Sequence, residues 1–125
     1  MTDTESEPTA NDDPWKPSVS FGEDSQPIIR VPLELNPNNA GEFNKLVASQ
    51  FGEKGVETIE FDFSQTQFMD SVTAGLLLSV AKAKPRRISL VLSGLTDERV
   101  NEIFASNPNV GRYFEVKKLP PPDQE

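Results

Sequence analysis

The sequence predicts a single α/β domain: a small mixed β-sheet of about four to five strands with helices packed against it. Three observations predict it. Strand and helix signals alternate over about 100 residues in the middle of the chain, the pattern of an α/β fold with some parallel pairing. Val56 to Phe63 alternates from Thr58 onward, with Thr58, Glu60 and Asp62 on one side and Ile59, Phe61 and Phe63 on the other, the period of a strand. Ile88 to Leu92 is instead apolar almost throughout, as a strand covered on both sides requires.

The remaining elements follow in chain order. Ser18 to Phe21 predicts a short edge strand, and Ile28 to Leu35 a second strand demoted toward an edge or a bulge by Pro32. After the breaker NPNNAG, Phe43, Leu46, Val47 and Phe51 recur at helical spacing, which predicts a helix over about Ala40 to Gln50. Beyond the strand at Val56–Phe63, the loop SQTQFMD leads to Ser71. There Leu76, Leu77, Val80 and Ala81 line one side of a second helix that must stop before Pro85. Ser93 to Leu95 reads as a turn. Thr96 is a good N-cap, with Asp97 and Glu98 in the first turn of a third helix striped by Val100, Ile103 and Phe104. NPNVG ends that helix, and Tyr113 to Val116 predicts a last strand.

Length and composition bound the organisation and the function. A chain of 125 residues is a one-domain length. Residues 1–17 are polar and acidic, holding Asp3, Glu5, Glu7, Asp12 and Asp13 against Lys16 and almost no large apolar side chain before Trp15. They predict a disordered tail. Residues 119–125, LPPPDQE, read as a second, Pro-rich acidic tail, which leaves 18–118 for the domain. The net charge of -8 argues against nucleic acid and against anionic membrane surfaces, both of which need clustered bases. The acidic N-terminus is no signal peptide, and no apolar run is long enough for membrane insertion. With neither cysteine nor histidine, the usual zinc ligands and the usual nucleophile–base pairs are gone. Absent cysteine also fits the reducing cytoplasm. The expectation is a protein that is no enzyme, has no catalytic residue, metal or cofactor, takes no small-molecule substrate and works through a protein partner. Lys82, Lys84, Arg86 and Arg87 form a basic cluster, either cations at a helix C-terminus or a docking patch for an acidic partner. Asp62 reads as a polar residue on the open side of its strand.

The informative stretch is EFDFSQTQFMDSVTAGLLL, Glu60 to Leu78: an amphipathic strand, a short loop, an Asp-Ser pair and a helix. A serine opening a helix is first of all a capping residue. The whole arrangement, however, resembles the STAS family, the domain shared by sulfate transporters and anti-sigma-factor antagonists. FDFSQTQFMDS matches that family's strand and loop, with Asp70 and Ser71 on its Asp-Ser pair, Gly75 on its second glycine and Leu77 on the next apolar position. ISLVLSGLTDERVNEIF and VGRYFEV match the later strand, helix and close. Two positions depart from the pattern. Val72 stands where many members have Ser or Thr, and Thr73 stands for the first glycine, which would add a branched side chain where a partner's backbone approaches.

The resemblance implies a stand-alone bacterial STAS protein that binds a protein partner through Asp70, Ser71, Val72, Thr73 and Gly75. In the antagonist branch the partner is an anti-sigma factor with serine-kinase activity, and phosphorylation of Ser71 would switch binding. Other stand-alone members are constitutive subunits or scaffolds, for example on the ATPase of an ABC transporter. A receiver-like phosphoacceptor reading of Asp62 and Asp70 lacks the acidic pair after the first strand and the matching lysine after a later one.

Overall fold

The structure, a computed structural model, describes residues 13–22, 24–67 and 71–118, though not the side chains of Ser71 and Lys118. The two tails at 1–12 and 119–125 lie outside the described residues. Five strands form one sheet in the order β1-β2-β3-β4-β5: β1 Ser18–Phe21, β2 Pro27–Arg30, β3 Thr58–Asp62, β4 Ser89–Leu95 and β5 Phe114–Lys118. Among the described residues four helices join them: α1 Ala40–Phe51, α2 Ser71–Ala83, α3 Asp97–Ser106 and the short α4 Val110–Tyr113.

β1 pairs antiparallel with β2, and β2, β3, β4 and β5 are parallel to their neighbours. Every parallel step is a crossover carrying a helix, and each crossover moves one strand along in the same direction. Right-handed crossovers stepping the same way put their helices on one side of the sheet. The burial of β3 shows the consequence: Ile59 and Phe61 are buried, whereas Thr58, Glu60 and Asp62 are partly exposed. Under the helices, Phe61 packs between Phe43 of α1 and Phe114 of β5, with ring centroids 6.0 and 6.1 Å away. Leu77 of α2, Leu90 and Leu92 of β4, and Ile103 of α3 close the core.

Several boundaries differ from the sequence expectation. β2 ends at Arg30, short of the predicted Leu35, because Pro32 has no amide to donate. One further bond, Val31 N to the Asp62 carbonyl at 2.9 Å, continues the pairing. β4 runs through the predicted turn at Ser93–Leu95. It does so because Gly94 takes φ 74° and the register against β5 shifts between Leu92 and Leu95, a bulge that glycine permits. Asn107–Asn109 does end α3, but the chain then turns once more into α4 before β5. Thr96 caps α3 as expected, its hydroxyl accepting from the Arg99 amide at 3.2 Å. Phe104 is only partly buried.

Residues 13–17, grouped with the tail in sequence, bond to the domain. The Pro14 carbonyl accepts from Leu33 N at 2.7 Å. The Trp15 carbonyl accepts from Asn39 Nδ2 at 2.9 Å, while the Trp15 ring stays exposed.

Candidate functional site

The site lies at the end of the sheet where the parallel strands finish. β3 stops at Asp62 and residues 63–67 carry the chain toward the start of α2 at Ser71. Sequence alone ends the strand at Phe63 and marks the following SQTQ as a loop of polar residues, yet each of residues 63–67 is fastened. Phe63 N donates to the Ser93 carbonyl at 2.9 Å, and Gln67 N to the Leu33 carbonyl at 2.9 Å. Thr66, which is buried, donates its hydroxyl to the Pro32 carbonyl at 2.9 Å. Gln65 donates through Nε2 to the Val31 carbonyl at 3.0 Å and accepts from Arg30 at 3.2 Å. Arg99 reaches from the first turn of α3 and donates to the Thr66 carbonyl at 2.6 Å. A buried carbonyl left without such a donor costs roughly 1–3 kcal/mol, so these bonds hold the loop to one course between β2, β4 and α3.

Asp62 is part of the fastening, which its place on an alternating strand did not indicate. Its Oδ1 accepts from Ser64 N at 2.9 Å and fixes the first bend after β3. Gly94 of the neighbouring strand lies against the same bend. A Cβ on Gly94 would stand 2.6 Å from Ser64 N and 2.7 Å from Asp62 Oδ1. The glycine therefore does two things: it adopts a backbone conformation that L side chains resist, and it makes room for the Asp62–Ser64 turn. Arg99 and Gly94 are the site-supporting residues that the sequence reading missed. The motif segment ends at Leu78, and nothing local marks residues 16 and more positions further on as touching it.

The residues expected to meet a partner divide as follows. Asp70 lies outside the described residues, and so does the side chain of Ser71, whose backbone opens α2. Val72 is 44% exposed and Gly75 is exposed. Thr73 is 1% exposed: its side chain turns into the domain. The expectation that Thr73 presents a branched side chain to a partner is thus corrected. Positions 72, 75 and 79 share one side of a helix, and 73, 74, 77, 80 and 81 the other. The packed side is Thr73, Ala74, Leu77, Val80 and Ala81. The open side is Val72, Gly75 and Ser79, flanked by half-buried Leu76 and Leu78.

This open side has two physical properties. It carries no charge from Ser71 until Lys82 in the last turn. It also contains a glycine that packing among the described residues does not demand, since a Cβ on Gly75 would meet none of their atoms within 4 Å. Glycine inside a helix is less stable than alanine by roughly 0.5–1 kcal/mol. Here that cost has no structural return among the described residues.

Comparison with known proteins fits this arrangement. The model of the STAS domain matches residues 20–107, so the chain belongs to the STAS domain family. Among solved structures it is similar to an anti-sigma-factor antagonist (STAS) domain protein from Planctomyces limnophilus, with TM-score 0.67 at 12% identity over 84% of this chain and 92% of that one. It is similar also to a Ser-to-Glu variant of RsbS from Moorella thermoacetica, with TM-score 0.66 at 11% identity over 83% and 87%. A third is the Bacillus cell-fate determinant SpoIIAA in its phosphorylated form, with TM-score 0.55 at 19% identity over 82% and 91%. At these identities the likeness is one of fold. No curated protein is matched by the sequence. Among the described residues no helix is long and apolar enough to cross a membrane.

Proposed function

We propose that this protein is a binding module of the anti-sigma-factor-antagonist kind. A partner kinase grips the open side of α2 and is released when it phosphorylates Ser71. The protein itself catalyses nothing in this scheme and acts in the cytoplasm, where the kinase meets it. The observation that carries the reading is Gly75. A glycine that lowers helix stability, with no described atom within 4 Å of where its Cβ would lie, is expected where another molecule's backbone comes close. Val72, half-exposed one turn earlier, supplies apolar contact for the same partner.

Phosphorylation suits this position on electrostatic grounds. A phosphate brings about -1.5 to -2 charges. At the N-terminus of α2 the helix dipole tolerates them, by roughly 0.3–1 kcal/mol. On a partner-covered surface with no charge before Lys82, the same charge has to be desolvated, which weakens the complex. SpoIIAA, of the same fold, has been solved in both its unphosphorylated and phosphorylated forms, which supports a fold that carries the modification intact.

The test uses the full chain. The partner is recovered with unmodified protein, and its affinity is measured by calorimetry for the unmodified form, the Ser71-phosphorylated form and Gly75→Ala. The switch requires that phosphorylation weaken binding about tenfold or more, equivalent to at least ~1.4 kcal/mol. The Gly75→Ala variant should bind more weakly while folding at least as stably. Equal affinities for the phosphorylated and unmodified forms would refute the switch. They would leave a constitutive subunit, for example on a transporter ATPase, using the same side of α2.

A further inference from the structure

At the opposite end of the sheet from Ser71, where β4 and β5 begin, the fold assembles a basic depression. We infer that it is a second docking site, one that takes an acidic polypeptide segment of a protein partner. The depression has a volume of about 370 Å³ and is lined by Lys84 and Arg86 after α2, by Arg112 and Tyr113 of α4, and by the starts of β4 and β5. More than 20 residues of sequence separate Arg86 from Arg112, and the parallel pairing of β4 with β5, Leu90 opposite Phe114, brings their segments to one rim.

The charge here runs against the rest of the molecule. The chain is acidic at -8 overall, yet residues 71–95 contain four bases and no acid. Arg87 of this group is already committed, donating to the Phe51 carbonyl at the end of α1 at 2.6 Å. The guanidinium groups of Arg86 and Arg112 make no hydrogen bond or ion pair with any described residue, although Glu115 lines the same depression. Two uncommitted guanidinium groups lining one depression each offer a planar fork of donors that a carboxylate can accept from.

The occupant follows from the same features. Three bases, Lys84, Arg86 and Arg112, against the single acid Glu115 in the lining call for an anionic occupant held at short range, since the chain's overall negative charge opposes long-range steering of any polyanion. The carboxylate of Glu115 in the lining opposes a compact dianion such as phosphate more than singly charged carboxylates spaced along a peptide. Tyr113 is 40% exposed at the rim, a contact that a peptide's stem atoms use and a free anion does not.

A fluorescein-labelled deca-glutamate peptide is the probe, with deca-glutamine as the neutral control. Anisotropy titrations use the full-length protein, its Arg86→Glu and Arg112→Glu variants, and Lys45→Glu on the exposed side of α1; circular dichroism melts confirm that each variant is folded. The inference expects binding of deca-glutamate alone, weakened about tenfold by each arginine reversal and little by Lys45→Glu, as local rather than global charge would do. Arg112→Gln, which removes the charge without reversing it, should fall in between. Four outcomes would overturn it: no binding in low salt, equal losses for all three reversals, inorganic phosphate displacing the peptide at matched concentration, or a gain in peptide affinity on removing residues 1–12 or 119–125. The last would mean that the chain's own acids fill the depression.

Discussion

Replacing Gly94 by alanine is the sharpest perturbation of the loop that leads to Ser71. The residue sits at φ 74°, and its added Cβ would stand 2.6 Å from Ser64 N and 3.1 Å from Ser64 Cα, both backbone atoms. Three effects add. The left-handed conformation costs an L residue about 1–2 kcal/mol. The hydrogen bond from Ser64 N to Asp62 Oδ1, at 2.9 Å, is displaced, a loss of about 0.5–1.5 kcal/mol. Backbone must shift to admit the methyl group, for which overpacking in a well-packed region suggests about 1–3 kcal/mol. These overlap, so the expected total is about 3–5 kcal/mol. Gly55→Ala is the internal control, because Gly55 has φ 88° and a Cβ there would meet nothing within 4 Å; only the conformational cost of about 1–2 kcal/mol applies. Urea unfolding of both variants measures the difference, with the amide of Ser64 followed by hydrogen exchange. If Gly94→Ala were no more destabilising than Gly55→Ala, the close packing of β4 on the Asp62 turn would be refuted, and with it the account of how the loop is held.

Other expectations follow from the same structure. Gly75→Ala should raise stability by about 0.5–1 kcal/mol, since its Cβ enters open space on a helix; a destabilised variant would mean the site is packed. Leu92→Ala, at 0% exposure in β4, should cost about 2–5 kcal/mol in denaturant unfolding, as a cavity between strand and helices. Arg99→Ala removes the donor to the Thr66 carbonyl and should destabilise by about 1.5–3 kcal/mol, the range for a charged donor, with faster amide exchange at Gln67 as the local readout. Removing residues 1–12 should leave the melting temperature nearly unchanged, whereas removing 1–17 deletes the Pro14 and Trp15 carbonyls that accept from Leu33 and Asn39 and should lower it by several degrees, at roughly 4 °C per kcal/mol for this size.

Local chemistry determined much of the molecule. The alternation of Thr58 to Asp62, the helical spacing of Phe43, Val47 and Phe51, and the capping of α3 by Thr96 are settled within a few residues of themselves, so they could be read before any fold was known. The Asp70-Ser71 pair followed by Gly75 marked a candidate site through the family resemblance that its order carries. Tertiary structure decided what depends on residues distant in the chain. Thr73 looked like a surface obstacle and is buried, because the packed phase of α2 includes it. Ser93–Leu95 looked like a turn and is strand, because pairing with β3 and β5 outweighs a local glycine signal. Asp62 looked like a solvent-facing strand residue and holds the loop turn. The contacts of Gly94 and Arg99 and the shared depression of Arg86 and Arg112 were invisible, since a juxtaposition across 25 or more residues leaves no period or spacing to detect. The sequence by itself thus determined most of the elements and the helix on which the candidate site lies. Only the packing of parallel strands side by side decided which side of that helix is open and what holds the loop before it, because those are set by neighbours that the chain brings together only on folding.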